Sequence, residues 1–293
     1  MSFDLTPRLI TALSDLPLRP ADAHKGTFGR VVIIAGSRGM TGAAALSGMA
    51  ALRGGAGLVT VATPATVAPI IAGYEPSYMT WPVCDVCGQL SMASLSELMD
   101  RLATADAAAI GPGIGQSKDI DELVAELYRM VEIPLVIDAD GLNALSHRSD
   151  AFGTIRPAAA RVLTPHPGEF ARLSGLSMET IAGNREAVAA AFAAQQGVVV
   201  VLKGQHTVIT DGEQLAINPT GNSGMATGGS GDVLTGILTA LLARRMDPFA
   251  AAQLATYLHG LAGDLAAADV SQPGLIASDL PRYIAQAWKR LGQ

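Results

Sequence analysis

Short apolar runs alternate with longer small-residue and amphipathic segments along almost the whole chain. The runs at 30–35 (RVVIIA), 57–62 (GLVTVA), 107–110 (AAAI), 134–137 (PLVI), 161–163 (RVL) and 198–202 (VVVVL) predict buried strands. Segments 42–52, 67–72, 120–130 and 178–195 predict helices between them, the last a single long one. Two more strand-like runs, 207–210 and 214–218, flank Asp211-Gly212, the turn chemistry of an antiparallel hairpin. The last third predicts helices over 233–243, 249–268 and 278–291.

Strands separated by helices imply an α/β fold, a mostly parallel central sheet flanked by helices on both faces. The hairpin places an antiparallel pair at one edge. No Ser/Pro-rich linker divides the chain and no internal repeat is present, so residues 1–293 read as one domain. Parallel sheets bind ligands beyond the carboxyl ends of their strands, so chemistry is expected in the residues after each apolar run.

Composition narrows the function. At 49% hydrophobic and 16% charged, the 293 residues can bury a large core. With 20 Lys+Arg against 26 Asp+Glu the formal charge is −6, and no basic run is present, which argues against nucleic acid as a partner. Small anions are still allowed, because backbone N–H groups hold them without net positive charge. No stretch reaches the roughly 18 uncharged apolar residues of a membrane span. The start, MSFDLTPRLITALSDLPLRP, has neither a basic nor a continuous apolar leader region, so no membrane partner and a cytoplasmic location are expected. Cys84 and Cys87 share C-x-x-C spacing, but a lone pair does not complete a tetrahedral zinc site, and they read as two ordinary cysteines.

The strongest chemical signal is NPTGNSGMATGGSGD, residues 218–232, leading into the apolar segment VLTGILTALLA. Gly228, Gly229 and Gly231, with Ser230 between them, remove side-chain bulk where the chain turns into a helix. That leaves backbone donors and the helix dipole open to phosphate oxygens. Asp232 follows at once. It reads either as a plain N-cap or as a functional carboxylate, and the glycine density before it favours anion binding. Its chemical role would be to accept a hydroxyl proton while a phosphoryl group moves onto that oxygen. A helix N-terminus lowers a carboxylate pKa, so Asp232 is expected to be ionised, a weak base that mainly orients the hydroxyl. There is no GxxxxGK[ST] loop, and the glycines at 36–42 do not form G-x-G-x-x-G.

Other polar turns follow predicted strands: GPGIG (111–115), DADGLN (138–143), TPHPGE (164–169) and KGQHT (203–207). Each has an ordinary reading, with His166 as a turn histidine, Asp140 as a helix cap and Lys203 as a solvated charge. Their recurrence at strand ends points to one site.

Taken in order, GRVVIIAGSRGMTGAA, GPGIG, DADGLNAL, TPHPGE, LKGQHT and NPTGNSGMATGGSGDVLTG resemble the ADP-dependent NAD(P)H-hydrate dehydratases, a branch of the ribokinase-like superfamily. The likeness runs from about Lys25 to the C-terminus. It implies a ribokinase-like fold and a repair enzyme that removes water from the S epimer of hydrated NADH or NADPH. ADP would be the co-substrate and phosphoryl donor, leaving AMP and phosphate. By resemblance, Asp232 is catalytic and contacts the hydrated nicotinamide. Lys203, Gly204, Gln205, His206, Thr207 and Gly231 bind the nucleotide, and Gly228 to Gly231 form the phosphate hole. His166, one of Gly113 or Gly115, and one of Ala43 or Ala44 line the dinucleotide site. Asp138, Asp140, Asn143 and Glu169 would lie around Mg²⁺ without an assigned metal ligand among them. The resemblance also implies a homotetramer. Only about two dozen residues precede the likeness, so no fused epimerase domain is expected and a separate epimerase would act as partner.

Two other readings are open at this stage. A ribokinase-like kinase of a thiazole or pyrimidine vitamin precursor, using ATP, would share the GSGD site. An idle nucleotide sensor would share the folds of the loops, but has no use for the charge on Asp232.

Overall fold

Val31 and Ile33 enter one apolar core while Val32 and Ile34 enter another, and the same alternation recurs at Ala107/Ala109 against Ala108/Ile110. Strand side chains alternate faces with period two, so runs apolar at every position need a sheet covered on both sides. The computed structural model describes residues 7–148 and 157–293. The first six residues, part of the stretch expected to lack a leader, and residues 149–156 lie outside the described residues.

The elements are, in chain order, β1 (Arg8–Leu9), β2 (Arg30–Ile34), α1 (Thr41–Arg53), β3 (Leu58–Pro64), α2 (Ala68–Ala72) and β4 (Met79–Val83). Next come β5 (Asp85–Val86), β6 (Gln89–Leu90), α3 (Leu95–Leu102), β7 (Ala107–Ile110), α4 (Lys118–Met130), β8 (Leu135–Ile137) and α5 (Asp140–Ser146). They are followed by β9 (Arg161–Leu163), α6 (Pro167–Ser174), α7 (Met178–Gly183), α8 (Arg185–Gln196), β10 (Val199–Leu202), β11 (Val208–Thr210) and β12 (Gln214–Ile217). The chain ends with α9 (Ser230–Ala243), α10 (Pro248–Val270) and α11 (Leu280–Arg290).

Ten strands form one sheet in the order β1-β12-β11-β10-β9-β8-β7-β2-β3-β4, and β5 and β6 pair separately. β11 runs antiparallel to both β10 and β12, as the Asp211-Gly212 turn requires, and the other pairings in the large sheet are parallel. The two-residue β1 adds outside β12, so the hairpin has one more strand beyond it. One core holds α1, α9, α10 and α11, and the other holds α3 to α8. Among the described residues no helix is long and apolar enough to cross a membrane.

The long helix expected over 178–195 is two helices. Gly183 ends α7 and Asn184, at φ −145° and ψ 37°, leaves helical geometry before α8 begins at Arg185. Glycine and asparagine are the residues that make such a break cheap.

From β2 the chain builds outward through β3 to β4, then returns to β7 and builds the other way through β8, β9 and β10. β2 and β7 are neighbours whose following loops diverge, the arrangement that opens a crevice at the strand ends. α9 is driven down onto this point by small residues. A Cβ at Gly236 would lie 2.2 Å from the Ser47 carbonyl oxygen and 2.8 Å from the Ala50 Cβ, so α1 and α9 are almost in backbone contact. The first turn of α9 therefore stands over the strand ends.

Candidate functional site

The turns after β7, β8, β9 and β10 emerge on one edge because their strands are parallel, and the first turn of α9 closes over them. In GPGIG, Gly111 has φ +131° and a Cβ there would fall 1.8 Å from the Asp138 carbonyl oxygen, so only glycine fits. Asp140 does not cap α5, whose N-cap is Ala139. Its Oδ2 accepts from the Gly115 N–H at 3.0 Å and its Oδ1 from the Gln116 amide at 3.4 Å, tying GPGIG to DADGLN. Gly113 lies against Ala43 and Met40, and Gly115 against the Gln89 side chain. Of the two alanines, Ala44 is fully buried with its Cβ toward Gly36, so Ala43 is the one with surface for a ligand.

His166 is the N-cap of α6. Its Nδ1 accepts from the Gly168 and Glu169 N–H groups at 3.0 and 3.3 Å, and Glu169 Oε2 accepts from the His166 N–H at 2.8 Å. The reciprocal pair satisfies three donors at the helix start. Burial, with Lys203 and Arg172 nearby, holds the imidazole below its ordinary pKa. Nε2 is then the protonated nitrogen, on a ring with half its side-chain surface exposed.

Lys203 is not a solvated charge. Its Nζ pairs with Asp138 Oδ1 at 2.7 Å and stands 3.9 Å from Glu169 Oε2. Asp138 is 1% exposed, and its Oδ2 accepts from the Thr235 hydroxyl at 2.7 Å. Burial pushes the Asp138 carboxyl up, but Lys203 and the hydroxyls of Thr235 and Thr164 hold it below the usual range. For Lys203, burial pulls the pKa down, and Asp138 and Glu169 together keep it above its ordinary value. Burial raises Glu169. Asn143 does not face this cluster as a free ligand, because its Oδ1 accepts from Arg172 at 3.0 and 2.8 Å.

The glycine loop lies above that pair. Gly229, at φ +95°, is the N-cap of α9, and Gly228 faces open space. A Cβ at Gly231 would lie 3.2 Å from Lys203 Nζ and 3.7 Å from Asp138 Oδ2. Asp232 is thus not the cap, and its carboxylate has no hydrogen-bond partner among the described residues. Burial first, then the Asp138 charge, push its pKa up to about 7, against the pull of Lys203. This overturns the expected lowering. A helix N-terminus contributes about 0.3–1 kcal/mol at the surface, whereas one pKa unit is about 1.4 kcal/mol, so desolvation and a like charge win.

The 203–207 turn is itself unusual, with Gly204 at φ +145° and His206 at φ +55°. Thr207 Oγ1 closes it by donating to the Gly204 carbonyl at 2.9 Å, leaving Gln205 and His206 exposed. Supporting residues escaped the sequence reading. Asp264 on α10 accepts from the Gly221 N–H and the Asn222 amide, each at 2.9 Å, and Thr220 donates to the Tyr257 carbonyl at 2.9 Å. His259 lies against the Ser230 backbone, held neutral by burial with a pKa of about 4. Thr235 had a signal, since it sits one helical turn after Asp232. The contacts from α10 had none.

Among the described residues no group of three His, Cys, Asp or Glu could hold a metal ion. Mg²⁺ commonly arrives on substrate phosphates, keeps several waters and takes only one or two carboxylates. A site with Asp232 unengaged and Asp138 and Glu169 near it fits that mode and not a protein cage. Cys84 and Cys87 are free and exposed beside β5.

Replacing Gly231 with Ala should lower the melting temperature by no more than a few degrees, because the new methyl would stand 3.2 Å from Lys203 Nζ and the Lys203–Asp138 pair need shift only slightly to admit it. It should weaken a phosphate held at the loop amides about tenfold by filling the space beside them, as titration calorimetry would measure.

A sequence profile described as NAD(P)H-hydrate dehydratase matches residues 31–286. A bifunctional NAD(P)H-hydrate repair enzyme of Moorella thermoacetica is 46% identical over 290 residues, 97% of this chain and 54% of that protein. The chain spans about half the length of this and several other curated relatives. An ADP-dependent (S)-NAD(P)H-hydrate dehydratase of Bacillus subtilis is 37% identical over 277 residues, 94% of each chain. The crystal structure of the Bacillus subtilis ADP/ATP-dependent NAD(P)H-hydrate dehydratase, co-crystallised with ATP/Mg²⁺, superposes with a TM-score of 0.81 at 35% identity, covering 94% of each chain. A hydroxyethylthiazole kinase from Pyrococcus horikoshii reaches a TM-score of 0.62 at 16% identity over 89% of each chain, a likeness of fold alone. The fold is ribokinase-like.

Proposed function

This chain belongs to the NAD(P)H-hydrate dehydratase family, and from that we propose that it restores NADH or NADPH from the S epimer of the hydrated coenzyme, with ADP as phosphoryl donor. The observation that carries the reading is the state of Asp232. Of the four carboxylates at the strand ends, Asp138, Asp140 and Glu169 have their oxygens engaged, and Asp232 alone is unpartnered, with a pKa of about 7.

A carboxylate poised there accepts the proton of the ring hydroxyl as its oxygen attacks the β-phosphorus of ADP. The O–P bond forms, the bond to AMP breaks, and hydroxide becomes phosphate, a far better leaving group. Loss of phosphate with the C–O electron pair and of a ring proton restores the reduced nicotinamide. Backbone N–H groups of residues 228–231 receive the transferring phosphoryl oxygens. Lys203 to Thr207 and Gly231 hold the nucleotide, while Ala43, Gly113 or Gly115, and His166 line the coenzyme side. Asp232, with the cluster of Asp138 and Glu169, would be the carboxylates available to a Mg²⁺ ion bound with the nucleotide, which would supply neutralisation of phosphate charge.

The test supplies hydrated NADH with ADP or ATP and follows the absorbance of reduced nicotinamide together with AMP and phosphate release. Recovery of coenzyme matched by AMP from ADP is the expected result. Phosphorylation of a small thiazole or pyrimidine alcohol without coenzyme recovery would sink the reading. A base with its pKa near 7 makes kcat/KM rise with pH through neutrality, falling about tenfold per unit below it. A flat profile from pH 5 to 8 would remove Asp232 from that role.

A further inference from the structure

The break at Gly183-Asn184 starts α8 at Arg185, beside the carboxyl end of β10. Its guanidinium is anchored on the turn that follows β10. Nη2 donates to the carbonyls of Leu202 at 2.9 Å and Lys203 at 3.2 Å. Nη1 lies over Gly204, where a Cβ would stand 2.7 Å from it. The buried Nε has no partner. Among the described residues no carboxylate is within ion-pair distance of this cation. Burial alone shifts its pKa, downward, with no acid to offset it.

A charge count gives this guanidinium a purpose. Four carboxylates, Asp138, Asp140, Glu169 and Asp232, gather at the strand ends, and Lys203 is committed to Asp138. Arg172 is held on Asn143. A polyphosphate brought to the 203–207 turn meets a surplus of negative charge, and Arg185 is the cation on that turn that no acid neutralises. Its side chain is already fixed by two carbonyls, so a phosphate contact through Nη1 costs little further ordering.

We propose that Arg185 is a phosphate-binding residue of the nucleotide site, reaching a phosphate of ADP from the outer side of the 203–207 turn while Nη2 anchors on that turn. The proposal rests on the reading of residues 203–207 as the nucleotide turn. The competing role is a brace that only shapes the turn, and the two separate by ligand. Loss of a phosphate contact weakens ADP and spares adenosine, whereas a lost brace weakens both alike.

Titration calorimetry of the full chain with ADP, AMP and adenosine should compare wild type with Arg185→Gln and Arg185→Lys. The expected result for Arg185→Gln is an ADP affinity lower by about 10–100-fold, with adenosine changed less than about twofold. The fall in ADP affinity with added salt should also become shallower. Arg185→Lys keeps charge and stem but loses the fork, and should lie between. It also carries the test if the Gln variant does not fold. Equal weakening of ADP and adenosine in either variant, or none, overturns the proposal. Wild type that binds none of the three overturns the nucleotide turn instead, and Arg185 with it.

Discussion

Replacing Asp232 with Asn is expected to lower turnover by about 10²–10⁴-fold while making the protein harder to melt. The two effects have one cause. The carboxyl titrates near 7 in the folded chain against 3.8 for the unperturbed group, because it is buried and faces Asp138. A raised acid pKa means that folding disfavours the ionised form. Stability is unaffected by this group below about pH 4, declines as pH rises toward 7, and stays at the lower level above. Asparagine carries no charge and escapes that decline. The gain in melting temperature should therefore be a few degrees at pH 8 and absent near pH 4. ADP should bind at least as tightly, since a negative charge beside the phosphates is gone. A variant that loses turnover and stability together would make Asp232 a structural residue, and one that keeps turnover within tenfold would leave the proton with another acceptor.

Whether a feature of this fold is legible without coordinates depends on how far apart its parts lie in the chain. The strands of residues 30–34 and 107–110 announce themselves, because burial on both faces demands apolar residues at each position. The turns that follow the parallel strands could be placed on one edge from order alone. The glycine loop before Asp232 is a local pattern, and it marked the turn into the following helix, where Gly229 caps α9. The hidden parts are pairings across the chain. Lys203 reads as a surface charge until Asp138, 65 residues earlier, is found beside it, and Asp138 meets Thr235 97 residues later. The pKa of Asp232 was misjudged for the same reason, since the helix start is local and visible while the burial and the Asp138 charge are not. The two-residue β1 is too short to show any periodicity. The break at Asn184 was visible as Gly-Asn, but the apolar residues on both sides of it hid the stop.

Removing the Lys203 charge by substitution with Met should cost about 3–5 kcal/mol at neutral pH, because it strands a carboxylate that is 1% exposed. The loss should shrink in acid. In wild type the Asp138 pKa is depressed, so its stabilising contribution is present above the unfolded pKa and is lost as pH falls through the folded one. Without Lys203 burial dominates, Asp138 titrates upward, and a proton relieves the stranded charge as the pH drops. Combining Lys203→Met with Asp138→Asn should recover most of the stability, the coupling expected of a buried pair. The acid limb of kcat/KM separates this pair from mere scaffolding. Asp138 raises the Asp232 pKa more than Lys203 lowers it. As long as Asp138 is ionised, Lys203→Met alone should then move the limb to higher pH, whereas the double variant should move it below that of wild type. Denaturant unfolding and pH profiles on the four proteins of the cycle measure both effects. A limb that stays fixed through the whole cycle does not belong to Asp232, and the poised carboxylate on which the proposed reaction depends would have to be sought elsewhere.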